Sequence, residues 1–321
     1  MTLLRDDPDF ATAFGRAAEA LNRPRAFVEK DYWVTQVVRA LHGRMAGGFL
    51  LKGGTSLSKG YDIIDRFSED VDILVVPTAG VSVGQFAAHL LSITETAASD
   101  LGLDWEEARA PGHGRDASRG DYMRYPSDVD PGLRLPIRAD AVLLETGFAG
   151  GHEPAEMVEL SPILAGALDA DPSEYEDMAP FMVRVLEPVR TLVEKLFAVH
   201  NIATAWSATN IPSETRFGRH YYDIYRLLEH APTLRRLRDR DLFEHILGDV
   251  ERISRMHFGG VASRPEGGFA ASRAFIPERQ SELRFWLVDN YTSALSLLPE
   301  SARPPTFGRI LQRVNEHADL L

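Results

Sequence analysis

Cysteine is absent from the 321 residues, and lysine nearly so: of 35 basic residues only Lys30, Lys52, Lys59 and Lys195 are lysine. Without cysteine there is no disulfide framework, no thiolate zinc site and no cysteine nucleophile. No apolar run approaches the roughly 18 residues that suggest a membrane span. The N-terminus, MTLLRDDPDF, has acids where a secretory signal would place basic residues and an apolar stretch. His113, His152, His220 and His230 show no metal-ligand spacing, and no GxSxG elbow supports a triad hydrolase. These absences point to a cytoplasmic protein with no membrane partner, whose chemistry does not use thiols. Positive charge is also short, at 35 Lys+Arg against 47 Asp+Glu for a net −12. Such a chain repels nucleic acid unless it concentrates its positive charge locally. What is present, 44% hydrophobic and 26% charged, is ordinary globular composition for one or two domains.

Helical periodicity marks residues 9–23 and 25–42, the second carrying Phe27, Tyr32, Trp33, Val34, Val37, Val38 and Leu41. Phe49-Leu50-Leu51 reads as a short buried strand. Gly53-Gly54 forces a turn after it, with Thr55 as N-cap of a short helix through Lys59. Val71 to Val76 reads as a strand with Asp70 and Asp72 at its entrance. A helix over 84–99, a strand over 103–108, a loop or hairpin over 112–130 and strand character over 133–145 follow. The acidic, proline-bearing stretch 167–180 marks a boundary. Beyond a short strand at 181–186 the pattern is helical: Pro188 opens a helix to about Trp206, followed by 214–230, 240–256, 279–298 and 306–320. The fold class is therefore α+β, a mixed sheet flanked by helices and then a C-terminal helical bundle, divided as 1–180 and 181–321.

The most informative text is Lys52-Gly53-Gly54-Thr55-Ser56-Leu57-Ser58-Lys59, followed by Arg66-Phe67-Ser68-Glu69-Asp70-Val71-Asp72-Ile73. A glycine pair after a strand lets the backbone approach a ligand closely and leaves N–H groups for phosphate oxygens. Side chains two apart on a strand share a face, so Asp70 and Asp72 converge. Two carboxylates that close repel unless a cation lies between them, and Mg²⁺ with substrate phosphates suits an all-oxygen site. Mn²⁺ suits the same donors. The features together describe a metal site facing a nucleoside triphosphate (NTP).

This arrangement resembles the nucleotidyltransferase superfamily of the DNA polymerase β type and, more closely, the AbiEii/AbiGii toxin family. The resemblance extends to Val28-Glu29-Lys30-Asp31-Tyr32-Trp33, to Arg190-Thr191-Leu192-Val193-Glu194-Lys195-Leu196 and to Arg219-His220-Tyr221-Tyr222-Asp223-Ile224-Tyr225-Arg226, an ordered span of about residues 28–226. It implies a toxin of a bacterial toxin–antitoxin or phage-defence system, with a cognate antitoxin as partner. Its activity would be Mg-dependent addition of nucleotides to RNA, with the 3′ end of tRNA as acceptor, blocking translation. Residues 1–180 would be the nucleotidyltransferase domain, and 181–321 a helical domain completing the active site.

On that resemblance Asp70, Asp72, Lys195 and Asp223 are catalytic. Lys52, Gly53, Gly54, Thr55, Lys59, Ser68 and Lys195 serve the nucleotide, and Asp70, Asp72 and Glu145 hold metal. Glu145 is preferred to Asp140 as third carboxylate because the apolar run before it fits a buried strand. Thr191 and Lys195, four apart, share a helix face; the alternative makes Lys195 a solvated partner of Glu187 or Glu194. Ser68 suits a hydrogen bond to Asp70 or the nucleotide, a phosphorylation site, or a strand cap. For RNA, residues 216–240 hold Arg216, Arg219, Arg226, Arg235, Arg236, Arg238 and Arg240 against three acids. The 112–138 stretch adds Arg115, Arg119, Arg124, Arg134 and Arg138. A solvated helix face explains the arginine run equally well. Two other functions remain at this stage: a protein phosphotransferase using the same nucleotide site, and a non-catalytic nucleotide- or RNA-binding module.

Overall fold

The computed structural model describes residues 2–45, 47–76, 83–108, 118–130, 135–168, 174–212, 216–257, 259–260 and 263–321. Outside them lie residues 112–117 of the expected loop with Arg115, the start of the 133–145 segment with Arg134, residues 169–173 of the acidic boundary, and residues 214–215 of the expected 214–230 helix. The chain divides into two compact units, Met1–Tyr61 with Phe67–Leu186, and Asp62–Arg66 with Glu187–Leu321.

The first unit opens with α1 (Phe10–Leu21) and α2 (Arg25–Met45). Then come β1 (Phe49–Lys52), α3 (Gly53–Thr55) running into a π turn over Ser56–Gly60, and β2 (Asp70–Val75). α4 (Val83–Leu101), β3 (Asp104–Glu107), β4 (Ser118–Arg124) and β5 (Ala141–Gly147) follow. The unit ends with β6 (Ala155–Leu160), α5 (Ile163–Ala167) and β7 (Phe181–Leu186). The strands form one sheet in the order β3-β4-β5-β2-β1-β7-β6. It is mixed: β1 runs antiparallel to β2 but parallel to β7, and β2 runs parallel to β5.

Alternation along the strands gives the sheet two different faces. Leu51, Val71, Ile73, Val75, Val142, Leu144, Val183 and Val185 enter the main core, where they meet Tyr32, Trp33, Val34, Val37 and Leu41 of α2. Asp70, Asp72, Leu143 and Glu145 alternate with these and take the opposite face. Among the described residues the apolar cluster on that face is small, Leu50, Leu74 and Leu186. The acids are thus kept out of the core by strand geometry alone.

One expectation needs correction. Thr55 is no cap: α3 begins at Gly53 with Lys52 in the N-cap position and no side-chain cap bond. The acidic stretch before β7 also supplies a buried anchor. Asp177 is buried, accepts bonds from the Leu4 backbone N–H at 2.8 Å and from the Tyr32 hydroxyl, and so ties the N-terminus to α2. The first compact unit ends at Leu186, and its last strand, β7, lies between β1 and β6 in the sheet.

The second unit is helical: α6 (Pro188–Ala205), α7 (Arg219–Glu229), α8 (Ala231–Leu237), α9 (Arg240–His257), α10 (Glu282–Ala294) and α11 (Phe307–Glu316). Pro188 stands in the first turn of α6, where a missing N–H costs nothing. Gly218 precedes α7 against the Asn290 backbone, and a Cβ there would overlap it. Among the described residues no helix is long and apolar enough to cross a membrane.

Candidate active site

The acidic face is built by pairing β2 with β5 in parallel. The register sets Asp72 beside Glu145 and Asp70 beside Leu143. Lys52, at the end of β1, pairs with Asp72 from the other side. Glu145 is solvent-exposed along part of its surface, yet protein crowds the rest. That desolvation, the charges of Asp72 and Asp70 and a hydrogen bond to Asp72 push its carboxyl up to about 8, with Lys52 opposing. Asp140 is in a different setting: it precedes β5, is half exposed and pairs with Arg138 at 3.0 Å and Arg124 at 3.4 Å.

The glycine turn lies directly against these acids. Gly53 has φ +70°, and a Cβ on it would overlap the Asp72 carboxylate. Glycine is needed there for both reasons, backbone sign and space. Thr55 is fully buried and donates its hydroxyl to the Asp70 carbonyl, fastening the turn to β2. Ser56 closes the turn by donating to the Gly53 carbonyl at 2.8 Å. Lys59 is buried and its ammonium sits 2.6 Å from Asp31 of α2. Of the residues expected to serve a nucleotide, Thr55 and Lys59 therefore direct their polar atoms into the protein. Gly54 is buried, and Lys52 and Ser68 are half-buried.

Among the described residues no three acidic or histidine side chains already surround one cation position. The donor chemistry still fits a divalent ion. Three carboxyl groups share a face, and the crowding that raises the Glu145 carboxyl is what a cation between them would relieve.

The second unit contains its own charged cluster. Asp223 of α7 is fully buried and accepts from Arg66 at 2.6 and 2.7 Å, one bond to each carboxylate oxygen. Lys195 of α6 reaches the same carboxylate at 2.7 Å and lies 3.3 Å from Nδ1 of His220. Burial alone would raise the Asp223 pKa, but Arg66 and Lys195 override it and hold the carboxyl well below the usual range. Burial pushes the Lys195 ammonium down against the pull of Asp223. Burial and the charges of Lys195 and Arg219 drive His220 well down too, so its neutral ring can accept from the lysine. The solvated alternatives for Lys195 are engaged elsewhere: Glu187 with Arg236 at 2.7 Å and Glu194 with Arg190 at 3.0 Å.

Residues 38–313 match the family model described as nucleotidyl transferase AbiEii toxin, type IV toxin–antitoxin system. The chain belongs to that family. Curated proteins provide no match to this toxin. Among solved structures it is similar to MenT4, nucleotidyltransferase toxin Rv2826c from Mycobacterium tuberculosis H37Rv, with a TM-score of 0.50 and 16% identity over 95% of this chain and 94% of the other. At that identity the likeness concerns the fold, a mixed seven-stranded sheet with flanking helices. Sequence reasoning named the acids, the glycines, Lys195 and Asp223 of this toxin, but did not single out Arg66 or His220. The signal for Arg66 was its place in the motif; its partner Asp223 is 157 residues away.

Proposed function

We propose that the toxin transfers a nucleotide from an NTP to RNA, with the 3′ end of tRNA as acceptor, and so blocks translation in the cytoplasm until its antitoxin intervenes. The observation that carries this reading is the face shared by Asp70, Asp72 and Glu145, with the glycine turn packed directly against Asp72. Binding alone gives no reason to gather three mutually repelling carboxyls; transfer between phosphates and a hydroxyl does.

Asp70, Asp72 and Glu145 would hold Mg²⁺ or Mn²⁺, which supplies neutralisation of phosphate charge and a more acidic acceptor hydroxyl. Gly53 and Gly54 keep the backbone low beside the acids so that phosphates can approach. Lys52 adds positive charge at the same edge, and Ser68 offers a hydroxyl just before β2. Lys195 is assigned the cationic role that phosphoryl-group chemistry requires, with Asp223 fixing its ammonium. The family implies a cognate antitoxin as partner, and phage defence is the cellular role we assign.

The test is incubation of the purified toxin with total tRNA and each α-labelled NTP, with and without Mg²⁺. Metal-dependent label on RNA supports the reading, whereas label on protein from a γ-labelled NTP supports phosphotransfer instead. The third carboxylate has its own test in the same assay. Glu145→Gln should lower transfer by about 10²-fold or more, on the scale of losing one group that stabilises transition-state charge. Asp140→Asn, which alters the surface pairs with Arg138 and Arg124, should stay near wild type. The reverse order would move the third ligand to Asp140.

A further inference from the structure

Three consecutive charged residues of α2, Glu29, Lys30 and Asp31, are all buried, at 3%, 1% and 6% exposure. Charged side chains are rarely so buried unless paired, and each here has a specific partner. Glu29 accepts from the Ser127 hydroxyl at 2.9 Å. Lys30 donates to the Arg138 carbonyl at 2.8 Å and to Glu69 at 3.3 Å. Asp31 accepts from Lys59 at 2.6 Å and from the Ile163 backbone N–H at 2.8 Å. One turn earlier, Phe27 stacks on Phe67 with ring centroids 4.7 Å apart.

Positions 27, 30 and 31 form one helix stripe (i, i+3, i+4), and that stripe grips both halves of the acid–glycine motif. Phe67 and Glu69 lead into Asp70, while Lys59 ends the π turn that follows Gly53-Gly54. Thr55 completes the loop of contacts by donating to the Asp70 carbonyl. The sequence of bonds is therefore closed: Asp31 to Lys59, along the turn to Thr55, across to Asp70, back through Glu69 to Lys30.

We propose that Lys30 and Asp31 are positioning residues, which set the distance between the glycine turn and Asp70 through two buried ion pairs. The inference rests on transfer occurring at Asp70 and Asp72. Each acts through its partner, Lys30 through Glu69 and Asp31 through Lys59. Partners of this kind typically change activity by about 10–100-fold when removed. Glu29 supplies an internal control, since it is equally buried on the same helix but binds Ser127, outside the motif.

The experiment compares Lys30→Met, Asp31→Asn and Glu29→Gln in the full chain, at a temperature where melting curves show all three folded. Transfer kinetics are read together with hydrogen–deuterium exchange of peptides covering 53–60 and 67–75. We expect kcat to fall about 10–100-fold in Lys30→Met and Asp31→Asn, with faster exchange confined to those two segments. Glu29→Gln should keep kcat within about twofold even where its melting temperature falls as far, since its partner lies outside the motif. Asp31→Asn keeps the side-chain shape, so it serves if Lys30→Met does not fold. The proposal is overturned if folded variants retain wild-type kcat, or if all three lose activity and protection in step with their melting temperatures. If wild-type toxin itself transfers nothing, the functional reading fails, and the exchange pattern alone still decides whether Lys30 and Asp31 set the motif.

Discussion

Asp72→Asn is expected to abolish nucleotide transfer while leaving the toxin as stable as wild type, or slightly more so. Asp72 is the centre of the acidic face: it pairs in register with Lys52 on one side and Glu145 on the other, and it fills the space that Gly53 leaves open. The amide keeps the shape and removes the charge. A metal-held phosphate would then lose one anionic ligand, for which a fall of about 10²–10³ in kcat is the appropriate scale. Stability moves the other way, because desolvation and then the nearby Asp72 and Asp70 push the Glu145 carboxyl up to about 8. Removing one of three crowded carboxyls relieves repulsion, a trade common where a site is built for function. Paired melting curves and transfer rates check this, and an inactive variant that also unfolds early would leave no case for a catalytic role.

Asp223→Asn is expected to do the opposite and destabilise the helical unit. Its carboxylate is fully buried between Arg66 and Lys195. Neutralising it strands two cations in the interior, for which the cost is about 3–5 kcal/mol. The pH dependence has a definite sign. Since the folded-state pKa is depressed, the stabilisation is fully present above the unfolded carboxyl value of about 3.9 and is lost as pH falls through the lower folded value. The gap in unfolding free energy between wild type and Asp223→Asn should therefore hold steady from neutral pH to about pH 5 and close in stronger acid. A gap that stays constant into strong acid would mean that shape, not charge, makes the difference. Lys195→Arg separates the structural role from the chemical one. It preserves a cation for Asp223, so the unit should fold, but the planar guanidinium cannot reproduce a compact ammonium. Turnover equal to wild type in that variant would reduce Lys195 to a structural partner.

The parts of this site that were legible in the sequence are the ones fixed by short-range geometry. Asp70 and Asp72 share a face because strands alternate, and Gly53 turns because its neighbours are a strand and a helix; both statements need only a few residues. The helices with clear periodicity, such as α2 and α6, were readable for the same reason. What was not legible depends on distant partners. Thr55 reads as a cap by residue type, but the Asp70 carbonyl takes its hydroxyl. Lys59 reads as a nucleotide-binding residue, and nothing in the sequence shows that Asp31 lies beside its ammonium. Glu29, Lys30 and Asp31 enter the sequence reading through the resemblance, and periodicity gives no sign that α2 is buried on every side through this stretch. The strand Ala155–Leu160 went unread because Met157 is exposed and Glu156 and Glu159 interrupt its apolar pattern, while its backbone pairs fully with β7. Asp177 falls in the acidic run read as a boundary, and the Tyr32 hydroxyl with the backbone N–H groups of Leu4 and Arg5 explains why it is inside.

The central claim, nucleotidyl transfer at the acidic face, is tested most directly by following one NTP labelled at either its α or its γ phosphate, with tRNA as acceptor. Wild-type toxin and Asp72→Asn are compared with and without Mg²⁺. The account predicts that the α label appears at the 3′ end of the RNA and the γ label leaves in pyrophosphate, only for wild type and only with the metal. Transfer of the γ label with release of nucleoside diphosphate, or unchanged α-label transfer by Asp72→Asn, would contradict it.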